Sequence, residues 1–381
     1  MSEGNDPRTF PDPALVPAES ARLHALAALS QAASTGQEAA ALDGEIRQAL
    51  GALLAPNHGD RLASVFLTAP SVAIYRHLWR LLAMCERESG PVDSLAVTLF
   101  ALPIIIVAGI DGDRGAQATL PCVLDDAAEL ASILREHGAL AGNQSFALSN
   151  ALVAAGAIDL SRLPDLLAWR ALPDAAPSVR ALEPAPITLS GGPETVHLRF
   201  LLGSALAAGG ADLLHNAEVG KWGIPFTQEL GRQLGAPGIS VLALPRAPQS
   251  LLHAVQQGRA AQREVGAHIF AGNAIRKLRA SVGEPTAVIS AHRAIDAING
   301  GEVRLSLSSP FDPREAEGFR CPLYPLDSVG DVVAMLTDLL RECRVSDVRV
   351  LPGVHDDRDP VTGLPLLFKG DSVPAPPHAV H

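Results

Sequence analysis

The sequence predicts an α/β protein in which a mixed or parallel sheet is flanked by helices and preceded by an α-helical amino-terminal portion. Three observations carry that expectation. Seventeen uncharged residues separate Asp93 from Asp111 and include Ile104, Ile105, Ile106 and Val107, a β-branched run that suits a strand buried on both faces. Leu42, Ile46, Leu50 and Leu53 recur at spacings of four, four and three, which places them on one helical stripe. In the second half of the chain, strand-like and helix-like segments alternate, as they do when helices cover a sheet.

In chain order, residues 1–13 hold Pro7, Pro11 and Pro13 among small polar residues and form a disordered tail. Helices follow to about Ser89. The last of them carries Ile74, Leu78, Leu81 and Leu82 on one side, with Arg76 and Arg80 turned away. The uncharged run of the central strand is shorter than the roughly 20 residues of a membrane helix and contains Pro103, so no membrane span is expected. Beyond it, Pro121 opens a helix with Leu130, Ile133 and Leu134 inward, and Gly138 closes it. Further helices are expected over Phe146–Val153 and after Ser161.

Pro173, Pro177, Pro184 and Pro186 mark an interdomain connection over 173–193. The chain is therefore divided into a helical portion with a first α/β region (14–172), a second α/β domain (194–369) and a terminal disordered tail (370–381). In the second domain, Val196, Leu198 and Phe200 alternate as a strand, Pro225 sits in the first turn of a helix, and Ile239–Leu244 is a strand. A helical pattern from Ser250 to Ser281 contains Gly258, Gly266 and Gly272, which predict a break. Strands over Thr286–Ser290, Val303–Leu307 and Phe319–Tyr324 lead to a helix capped by Ser328 and a final strand at Val348–Leu351. Glu229–Pro245 and Leu336–Pro352 share one helix–turn–strand–proline order, the pattern a duplicated unit would leave.

Charge and cysteine usage bound the function. A net charge of -11 argues against a general nucleic-acid binder, which needs clustered Lys and Arg. Cys85, Cys122, Cys321 and Cys343 show no paired spacing, so free thiols in a reducing cytoplasm are expected. The amino terminus, MSEGNDPRTFPDP, lacks a basic segment followed by an apolar core, so no secretory signal is expected. Abundant Ala and Leu with 4% aromatic residues fit a GC-rich bacterial genome.

Two acidic loops are the candidate sites. Asp111, Asp113 and Arg114 follow the central strand, where ligands bind in open α/β sheets. Two carboxylates in a tight turn can share an oxygen-preferring cation such as magnesium or manganese, and the arginine can hold a phosphate. His355, Asp356, Asp357 and Asp359 follow the last strand and join an imidazole to carboxylates, a set able to ligate a divalent metal or exchange protons. The Gly191-Gly192 and Gly300-Gly301 pairs lack the context of a phosphate-binding loop. With no specific catalytic motif, the expected function is a non-catalytic binding or assembly component with a protein partner or a second copy of itself. The alternative is a metal-dependent hydrolase or phosphotransferase acting on an anionic small molecule, in which both loops meet in one pocket.

Overall fold

The computed structural model describes residues 16–88, 96–111, 116–139, 146–172, 175–192, 194–207, 219–281, 283–293, 301–309 and 316–356. The chain is an α/β protein that divides into two compact units, one comprising Pro11–Gln262 and the other Arg263–His381.

The first unit opens with helices α1 (Ala18–Ala32), α2 (Gly36–Leu53), α3 (Gly59–Leu67) and α4 (Val72–Glu88). Thr35 caps α2 by accepting from the Glu38 N–H at 3.2 Å. Of the expected stripe, Ile46, Leu50 and Leu53 are buried, as are Leu23 of α1, Leu62 of α3 and Leu78 and Leu82 of α4. Asp43 ties three of these helices together, accepting from Ser30 Oγ at 2.6 Å and lying 2.8 Å from His77 Nε2.

The long apolar run is strand β1 (Ala96–Ile110), followed by β2 (Gln117–Leu120), helix α5 (Ala127–Glu136) and β3 (Phe146–Val153). Helices α6 (Leu163–Ala168) and α7 (Ala176–Arg180) precede β4 (Ile187–Ser190), β5 (Thr195–Ala207), α8 (Val219–Leu234), β6 (Ile239–Pro245) and the long helix α9 (Leu251–Ser281). The main sheet has the order β3-β5-β1-β6, and all its pairings are antiparallel. Burial on both faces, which the unbroken apolar run demands, is met here without parallel neighbours. Phe100, Leu102, Ile104 and Ile106 pack on one side with Trp222, Phe226 and Leu230 of α8, while Ile105 on the other side is equally buried. The proline-rich segment carries α7 and β4, and the strands on either side of it, β3 and β5, pair in this same sheet.

Several local expectations are corrected. Phe146–Val153 is a strand, not a helix; Leu148 and Leu152 are both buried, and a spacing of four keeps two residues on one face of a strand as well as of a helix, so it does not tell the two apart. Helix α5 begins six residues after Pro121, where Asp126 accepts from the Glu129 N–H at 3.0 Å. Ser161 does not cap α6; its hydroxyl donates to Asp159 at 2.6 Å. Pro225 lies inside α8, which starts at Val219. Helix α9 is continuous despite its glycines. A Cβ at Gly258 would stand 2.8 Å from Leu198 Cδ1 and 3.1 Å from both Phe200 and Pro103, so this glycine lets the helix approach the sheet closely. Nothing in the structure explains Gly272.

The second unit contains β7 (Thr286–Arg293), β8 (Glu302–Ser308), β9 (Ala316–Pro322), α10 (Val329–Glu342) and β10 (Asp347–Asp356). Its sheet has the order β10-β7-β8-β9; β10 runs parallel to β7 and the other pairs are antiparallel. Ser328 caps α10 as expected, accepting from the Asp331 N–H at 3.4 Å. One sheet face is apolar: Ile289, Val303, Leu305 and Leu307 form a core with Ala271 and Ile275 of α9 and Leu336 and Leu340 of α10. The two helix–strand segments that look alike in sequence end differently, β6 antiparallel to β1 and β10 parallel to β7.

Candidate functional site

The opposite face of the second sheet is polar, and it is buried. Strict alternation along β7 and β8 sends Ser290 and His292, and Glu302, Arg304 and Ser306, away from the apolar core. The register then sets them side by side: His292 opposes Glu302, Ser290 opposes Arg304, Arg304 opposes Arg320 of β9, and His355 of β10 lies beside His292. Arg304 is 1% exposed, and Ser290, His292, Glu302 and Ser306 are likewise buried.

Within this face, Oγ of Ser290 lies 2.8 Å from Nε2 of His292. The His292 and His355 rings stand 5.6 Å apart, tilted by 42°. Glu302 accepts from Nε of Arg304, and Arg320 Nε lies 3.8 Å from the same carboxylate, beyond hydrogen-bond range. Nε2 of His355 is buried without a hydrogen-bond partner among the described residues. Burial, reinforced by the Arg304 guanidinium, His355 and Arg320, pushes the His292 pKa down to about 3. The imidazole is therefore neutral at neutral pH, able to accept or donate but weak as a base. Nearby, Arg263 donates twice to Asp327, at 2.6 and 3.0 Å, and Asp327 also accepts from the Tyr324 N–H. Burial pushes the Cys321 thiol up to about 12, which makes it inert as a nucleophile at neutral pH.

The residues singled out in the sequence fare differently. Asp111 is exposed immediately after β1, and its N–H donates to the Gly238 carbonyl at 2.9 Å. The strands beside it, β5 and β6, begin where β1 ends, so the crevice that parallel strands form at their carboxyl ends has no counterpart here. Asp113 and Arg114 lie outside the described residues, as do Asp357 and Asp359. His355 takes part in the polar face through His292, and Asp356 ends β10 opposite Arg293. Asp111 belongs to the first unit and His355 to the second. Among the described residues, no group of three or more His, Cys, Asp or Glu side chains could hold a metal ion.

Ser290, His292, Glu302, Arg304 and Arg320 were not singled out by sequence. For the residues of β7 and β8 the signal was present as polar residues at every second position, but that pattern reads as a solvent-facing side, and Arg320 stands alone on its side of β9. Only the fold reveals that the side is covered.

No family model, curated protein or solved structure matches the chain. Its functional reading rests on its own residues. Among the described residues, no helix is long and apolar enough to cross a membrane.

Proposed function

We propose that this chain is a non-catalytic binding or assembly protein whose recognition element is the polar face around Ser290, His292 and His355. The observation that supports this reading is the hydrogen-bonded, buried Ser290–His292 pair with its imidazole held neutral. A base works best when its pKa lies near the operating pH, and one near 3 gives little help in removing the serine proton. A neutral imidazole and a hydroxyl, held on rigid strands, suit hydrogen bonding to a polar group instead. Burying such groups is unfavourable unless hydrogen bonds offset the lost hydration, which gives His355 Nε2 a reason to meet a partner. The same proposal places the protein in the cytoplasm of a bacterial cell, and the four free cysteines are compatible with a reducing compartment.

The test combines three measurements on the full chain: sedimentation for self-association, thermal shift against a panel of small polar molecules, and turnover of chromogenic esters and phosphoesters. Self-association or a ligand-induced shift, weakened at least tenfold in His355→Ala with the fold retained, supports the proposal. Turnover that Ser290→Ala abolishes overturns it. Calorimetric binding of magnesium, manganese or zinc at micromolar affinity, lost in both Asp113→Ala and Asp357→Ala, would replace it with a metal-dependent enzyme.

A further inference from the structure

We draw no further inference here: the strongest candidate, the side-chain cluster of Ser290, His292 and His355 on the polar face of the second sheet, belongs to the site already described, and nothing in the structure shows what covers it.

Discussion

His292 and His355 sit side by side on neighbouring parallel strands, their ring centres 5.6 Å apart on the polar face of the second sheet. Burial of His292, reinforced by the Arg304 guanidinium, His355 and Arg320, disfavours a proton on its imidazole.

That arrangement predicts an acid-sensitive fold. The His292 pKa is about 3 in the folded chain against an ordinary 6.5, so the unfolded state binds the proton more readily between these values. The contribution is absent above pH 6.5 and grows as the pH falls toward 3, reaching roughly a few kcal/mol of destabilisation. Urea midpoints measured from pH 7.5 to 4 should fall more steeply for the wild type than for His292→Gln. Parallel curves would remove the buried neutral imidazole as the cause.

Glu86 predicts the opposite sign. Its carboxylate is fully buried and accepts from the Leu251 N–H at 2.8 Å at the start of α9, and burial raises its pKa above the ordinary 4.5. A raised carboxyl pKa contributes stability below the unfolded value that is lost as pH rises through the folded one. Glu86→Gln keeps an acceptor without the charge and should gain on the wild type as pH rises above 4.5. Glu86→Ala leaves the Leu251 donor unsatisfied and should cost about 1–3 kcal/mol. Chemical denaturation of the three proteins at pH 4 and pH 8 separates these outcomes.

The glycines of α9 predict contrasting effects of one substitution. At Gly258 an added Cβ would press on Leu198, Phe200 and Pro103, an overpacking cost of about 1–3 kcal/mol. At Gly272 it would meet nothing within 4 Å, so alanine should stabilise by up to about 1 kcal/mol through helix propensity. Calorimetric Tm values should fall for Gly258→Ala and rise for Gly272→Ala. A fall in both would mean that the outer face of α9 is not open at Gly272.

Two ion pairs should differ in weight. Arg263 and Asp327 have side chains only 11% and 14% exposed and meet through two hydrogen bonds, so Asp327→Ala should cost about 3 kcal/mol. Arg61 and Glu19 are 55% and 40% exposed, and Glu19→Ala should change stability by less than about 1 kcal/mol. Urea titration of both variants checks the ranking, and equal losses would contradict it.

Much of the fold was legible in particular residues. Leu42, Ile46, Leu50 and Leu53 announced a helix because a buried stripe must repeat near 3.6 residues, and the Ile104–Val107 run announced a strand because β-branched side chains pack on a pleat. Leu148 and Leu152 misled because a spacing of four fits the two-residue period of a strand as well as the helical one, and local spacing cannot choose between them. The candidate site was legible only at His355.

By itself the sequence determined which segments are helix and strand over most of the chain, since periodicity is a local property of side chains along one backbone. It also determined that β1 must be covered on both faces, because an unbroken apolar run tolerates no wet side. Strand direction and register were decided only by the tertiary structure: antiparallel neighbours for β1, a parallel one for β7, and the placing of His292 beside His355. Those pairings join residues more than sixty positions apart, and short-range pattern carries no information about which distant strand a given edge will meet.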